Sequence, residues 1–306
     1  MVEVSIMVEG QDDMSWQRWQ TLVRATEDLG FDGLYRSDHF PVPFAPRKDS
    51  LELWVSLTWL AANTKRIRFG AMVSPISFRD PVTLAWQASG VDALAGGRLD
   101  LGLGAGWNEG EHVAFGYDLL DIGSRFRRFS EGIKVVRLLT RSDTPVSFEG
   151  EYYRLHDAML MPRSPRWDGP PITIGGAGKK RTMPLVAKYA DEWNSVHLAI
   201  EDFIEVNALL NRLLELESRP QSAVRRTMMA SVFIGKTDDD VARRLGDKSK
   251  EAILAGGQFV GRPDDIVRQL TPYMEAEIDG FKLRLPDIDD IETLELIADE
   301  VMPRLR

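Results

Sequence analysis

VEVSIMVE at residues 2–9, SWQRWQTLVRATEDLG at 15–30 and LYR at 34–36 together read as one strand–helix–strand unit. The first run alternates as a strand does. In the second, Trp16, Trp19, Leu22, Val23, Ala25 and Leu29 recur at helical spacing, with Ser15 placed to cap the helix and Gly30 to close it. Asp32-Gly33 then turns the chain into the next apolar run.

Working outward, the same rhythm returns along the whole chain. After a proline-rich stretch from Pro41 to Pro46, a helix is expected over 50–63, a strand over Ile67–Val73 and a helix starting near Pro81. Arg98–Leu103 is the fourth strand, followed by a helix near Ser124–Thr140. Val146–Leu155 breaks the rhythm and reads as an inserted hairpin around Glu149-Gly150-Glu151. Strands are then expected at Pro171–Ile174, Trp193–Val196, Thr227–Ile234 and Gly280–Leu285, with helices between them and Ile291–Leu305 last. The segment from Asp238 to Asp279 holds too much helix for one unit, so an extra helical insertion is expected there.

Eight strands interleaved with helices imply a parallel sheet, and eight suggest closure into a single (β/α)8 TIM barrel spanning residues 1–306. An open doubly wound sheet is the competing architecture, but no G-x-G-x-x-G follows the first strand.

Composition narrows the function. The hydrophobic share of 43% and charged share of 28% suit a soluble globular protein. A net charge of −9 argues against nucleic acid as a partner, and no apolar run approaches the roughly 18 residues that span a membrane. There is no cysteine, so disulfides, thiolate metal sites and a cysteine nucleophile are excluded, and a cytoplasmic location is expected. His39, His112, His156 and His197 are scattered, which argues against a metal site.

In a barrel of this class the chemistry sits where strands end. The second run ends in Ser37-Asp38-His39, and an imidazole titrating near neutrality beside a carboxylate suits proton chemistry, although His39 can equally be a strand-capping hydrogen-bond partner. Gly175-Gly176-Ala177-Gly178-Lys179-Lys180-Arg181, between a strand and a helix, suits a phosphate, or is an ordinary tight turn with a solvated basic patch. The glycines of Gly102–Gly106 can serve close packing alone. Glu9, Glu109 and Glu111 raise a glycosidase-like carboxylate pair, but Glu109 and Glu111 are expected on a solvated loop. Trp107, at a strand end, is set apart from the helical tryptophans.

These residues resemble the luciferase-like monooxygenase superfamily, and within it the branch that uses the deazaflavin coenzyme F420. The resemblance is carried by Leu29-Gly30-Phe31-Asp32-Gly33-Leu34, Ser37-Asp38-His39, Ser74-Pro75 with Phe78-Arg79-Asp80-Pro81, and Asp92-Ala93-Leu94 with Gly96-Gly97-Arg98-Leu99. Gly102-Leu103-Gly104-Ala105-Gly106-Trp107-Asn108 with Glu111, Pro170 to Gly176, and Ala190-Asp191-Glu192-Trp193-Asn194 extend it along essentially the whole chain.

The resemblance implies an oxidoreductase passing a hydride between F420 and a small organic molecule. FMN is the alternative cofactor, in a monooxygenase, and a flavin-binding barrel without turnover is the non-enzymatic alternative. It implies His39 and Asp38 in the catalytic motif. Cofactor contacts are implied at His39, Ala71, Met72, Ser74, Asn108, Gly175, Gly176 and Gly178, and a non-proline cis peptide at Ala71-Met72. Glu9 and Trp107 are expected on the substrate side. Where sugar-phosphate dehydrogenases of the superfamily carry an acid, this chain has Trp107, which favours a more apolar substrate. A homodimer is implied as well.

Overall fold

Each predicted strand forms. The structure, a computed structural model, describes residues 2–41 and 48–306. The proline-rich stretch therefore lies, beyond Pro41, outside the described residues. Eight parallel strands run in chain order as strand one (Glu3–Val8), two (Gly33–Arg36), three (Arg68–Ala71), four (Leu99–Gly104), five (Ile172–Gly175), six (Glu192–Val196), seven (Arg225–Ile234) and eight (Gly280–Arg284). Helices alternate with them, giving the (β/α)8 TIM-barrel class of fold. Strands two and four are buried at every residue, as expected of parallel strands covered on both faces.

The chain divides into two compact units. The first comprises residues 1–8, 17–35 and 175–306. In it, strand one pairs with strand eight (Glu3 opposite Gly280), and strand seven pairs with strands eight and six. Its core includes a polar cluster: Lys282 and Glu192 form a buried ion pair, the Thr227 hydroxyl donates to Glu192 (3.0 Å), and the Asn194 amide donates to Thr227 (2.9 Å). The expected helical insertion is present as Asp238–Leu245 and Lys250–Ala255. A short strand, Phe259–Gly261, follows and pairs with the end of strand seven. Phe233, Val241, Ile253 and Val260 form a small core beneath the insertion.

The second unit comprises residues 9–16 and 36–174. Strand four pairs with strand three, with strand five, and near its end with Ser74-Pro75. Three glycines make this pairing, and the turn just beyond it, sterically possible. A Cβ on Gly70 would lie 1.9 Å from the Asp100 carbonyl oxygen, and one on Gly102 would lie 2.0 Å from that of Ala71. At Gly106, which also takes φ +83°, it would lie 2.1 Å from the Ser77 hydroxyl.

The helix Pro81–Leu94 starts as expected, with Asp80 accepting from the amides of Val82 and Thr83. The preceding helix begins at Leu53 rather than Ser50, because Glu52 is the residue whose side chain accepts from a first-turn amide, that of Val55 (2.8 Å). The expected hairpin forms as Val146–Glu149 and Arg154–Ala158. The cis peptide falls one bond later than expected, at Met72-Val73 rather than Ala71-Met72.

Candidate active site

The end of strand two organises a polar constellation within the second unit. Arg36 is fully buried and donates to Ser56 Oγ and to the Leu51 carbonyl, both at 2.7 Å. Burial pulls its pKa down to about 10, which leaves it charged at neutral pH. Its guanidinium lies so close under Gly10 that a Cβ there would sit 2.0 Å from Nη2. The Gly10 amide donates to Ser37 Oγ, the Ser37 hydroxyl donates to Gln11 Oε1 (2.8 Å each), and Gln11 donates to Glu9 (3.1 Å). Glu9 is thereby held at the start of this unit.

Asp38, 4% exposed, is engaged at both oxygens. Arg79 donates to it twice (2.6 and 2.9 Å) and the Ser74 hydroxyl once (2.8 Å). Arg79 also pairs with Glu52 at 2.8 Å. Paired charge-assisted bonds of this kind fix geometry as well as charge. Asp38 therefore anchors the backbone from which His39 projects. Ser74 is fully buried and its hydroxyl serves that anchor; Ala71 and Met72 are buried too.

His39 turns Nδ1 to Glu111, with 2.9 and 3.1 Å to the two carboxylate oxygens. Glu111 contradicts the expectation of a solvated loop. It is 3% exposed, in the first turn of a helix spanning Glu109–Phe115, and also accepts from the Phe40 amide (3.3 Å). Asn108 caps that helix by accepting from the Glu111 amide (3.4 Å). The pattern Asn108-x-x-Glu111 is the signal that marks the start of this helix in the sequence. Glu109, by contrast, is exposed as expected.

Since a carboxylate only accepts, Nδ1 carries the proton, which leaves Nε2 as the ring nitrogen not engaged by Glu111. Burial alone would depress the His39 pKa. The hydrogen bond to Glu111, its charge, and the charges of Glu9 and Asp38 outweigh burial and raise it above the ordinary histidine value. Trp107, 72% exposed, stands edge-on to the imidazole with 5.8 Å between ring centres.

His112, one of the four scattered histidines, has a structural place. It is buried, donates from Nδ1 to the Asn108 carbonyl (2.6 Å) and accepts at Nε2 from Ser77 (2.7 Å), tying the helix to the turn after strand three. Beside it, Phe40, Phe78, Phe115 and Tyr117 form an aromatic cluster, with Phe40 and Phe115 stacked at 4.2 Å.

The glycine loop belongs to the first unit. Gly176 takes φ +101°, a conformation that suits glycine, and its carbonyl accepts from the Trp193 indole (2.8 Å). The Gly178 carbonyl collects the amides of Arg181, Thr182 and Met183. Lys179 pairs with Glu205 (2.6 Å), while Lys180 and Arg181 are exposed. Among the described residues no group of three or more histidines and carboxylates is arranged to hold a metal, and no helix is long and apolar enough to cross a membrane.

Comparison with known proteins bears on the fold and the family. The luciferase-like monooxygenase family model matches residues 3–287. An F420-dependent glucose-6-phosphate dehydrogenase of Amycolatopsis mediterranei (strain U-32) is 28% identical over 320 residues, covering 93% of this chain and 92% of that protein. A putative coenzyme F420-dependent oxidoreductase of Mycobacterium tuberculosis (strain ATCC 25618 / H37Rv) is 27% identical over 303 residues, covering 94% and 82%. Among solved structures, an F420-dependent secondary alcohol dehydrogenase in complex with an F420-acetone adduct superposes with a TM-score of 0.85 at 20% identity, covering 100% of this chain and 99% of that one, a likeness of fold. With its fold shared and nearly its whole length matched, the chain belongs to the luciferase-like monooxygenase family.

Proposed function

We propose that this chain is an oxidoreductase that passes a hydride between coenzyme F420 and a small organic substrate. The observation that carries the reading is the His39–Glu111 pair: a proton-bearing imidazole, 18% exposed, fixed by a buried carboxylate and walled by an exposed indole. Relatives that match along most of the chain and are named for F420 support the choice of cofactor.

The residues present suit that cofactor. An anionic phosphate needs flexible backbone and unpaired cations, and Gly175, Gly176 and Gly178 with exposed Lys180 and Arg181 offer both. Within the first unit those glycines suit its phosphate; within the second, Met72, Asn108 and His39 suit its ring. Bound, the cofactor supplies a hydride donor or acceptor carbon in its deazaflavin ring. The chain's own part is to orient the substrate and handle its proton: His39 through Nε2, with Asp38, Arg79 and Ser74 fixing the backbone and Trp107 giving the substrate an apolar wall. Trp107 at the end of strand four favours a substrate with an apolar body over a sugar phosphate. A single barrel domain, a homodimer and a cytoplasmic location complete the reading.

Binding titrations test it. The purified protein is expected to bind F420 at micromolar concentration; binding of FMN with none of F420 sinks the cofactor assignment.

A further inference from the structure

We propose that Glu111 is a positioning residue that holds His39 as a charged donor, its Nε2–H offered to a substrate oxygen, so that the site is built for the reductive direction. This rests on the function proposed above and adds a direction to it.

The geometry is specific. Both Glu111 oxygens lie within 3.1 Å of Nδ1, and the carboxylate is 3% exposed. A carboxylate so far removed from water needs a cation or several donors. It has the Phe40 amide at 3.3 Å and the imidazole, and among the described residues no arginine or lysine pairs with it. The other charges around the ring reinforce the demand. Glu9, just after strand one, is negative; Asp38 is negative but is matched by Arg79, which Glu52 shares. Trp107 adds a neutral ring edge. The resulting rise in the His39 pKa, against the pull of burial, agrees with this balance.

A charged imidazole has no lone pair at Nε2, so it cannot take a proton from an alcohol. It can give one. When a carbonyl carbon receives a hydride from the reduced cofactor, the C=O π pair moves to oxygen. The Nε2–H bond breaks, that proton forms the new O–H bond, and its electron pair stays on nitrogen. The products are an alcohol, the oxidised cofactor and neutral His39, which regains a proton from water.

The test reads the ring itself. The chain has four histidines, so protein labelled with 15N-histidine gives four ring titrations, and the one lost in His39→Gln is that of His39. The wild-type ring is expected to titrate above the ordinary value of about 6.5, with Nδ1 protonated throughout. In Glu111→Gln, which keeps an acceptor but removes the charge, the pKa is expected to fall by about one to three units. With reduced F420 and cyclohexanone, kcat/KM is expected to drop on the alkaline side at the His39 pKa, and that limb should move to lower pH in Glu111→Gln.

A wild-type His39 titrating at or below the ordinary value overturns the proposal, and this measurement needs no variant to fold. So does a Glu111→Gln ring that titrates as wild type. Because the ring titration needs no cofactor, failure to bind F420 sinks the functional reading separately.

Discussion

His39 couples chemistry to stability through a single proton. Its pKa is raised in the folded protein, with burial opposing and the Glu111 hydrogen bond and charge prevailing. The pair therefore contributes its full stabilisation below the unfolded value of about 6.5, and the contribution is lost as pH rises through the higher folded value. The melting-temperature gap between wild type and His39→Gln should accordingly be wider at pH 6 than at pH 9; an equal gap at both would contradict the ion pair. On activity, His39→Ala should lower kcat by about 10²- to 10⁴-fold, far more than it weakens F420 binding, since a general acid acts in the transition state. A substitution that leaves the rate intact would remove His39 from the mechanism. His39 was readable from its place at a strand end. Its partner was not, because Glu111 lies 72 positions away in sequence, and its burial depends on a short helix whose packing no local pattern reports.

Whole elements were more legible than their reasons. The glycines at the end of strand four were visible as a motif with either a cofactor or a packing role, and the structure supplies contacts for the packing role at Gly102 and Gly106. Gly102→Ala would drive a Cβ onto the Ala71 carbonyl oxygen, backbone that cannot swing aside. We expect it to destabilise by about 3 kcal/mol or more, as overpacking against main chain does, lowering the melting temperature by several degrees. A melting temperature within a degree of wild type would mean that strands three and four part easily. The alternating hairpin and the eight parallel strands stood out because their patterns are local. Phe259–Gly261 did not: three residues carry no alternation, and only pairing with strand seven makes them a strand.

At the scale of the molecule, a pair of surface helices shows a feature that neither the core nor the candidate site explains. The helices Leu53–Asn63 and Pro81–Leu94 contain a single charged residue between them, Asp92, and that one is buried. A helix on a protein surface ordinarily keeps a polar stripe for water, and one apolar all round is a helix that becomes covered. Val55, Trp86 and Leu94 stand out from this pair with 54–60% of their surface exposed, and Val55 and Trp86 line a groove together with Glu52, Trp54, Thr58, Thr83 and Gln87. A second copy of the chain offering the same largely apolar face would bury both, and the one carboxylate in the groove, Glu52, already has Arg79 as its partner, as a two-fold interface requires. We propose this face as the surface of the expected homodimer, with Trp86, the largest exposed side chain there, at its centre. Trp86→Glu should convert the dimer to a monomer in light scattering after gel filtration. It should leave F420 binding unchanged, since Trp86 belongs to neither the His39 constellation nor the glycine loop. A wild-type protein that is already monomeric at tens of micromolar would remove this face from any role in self-association.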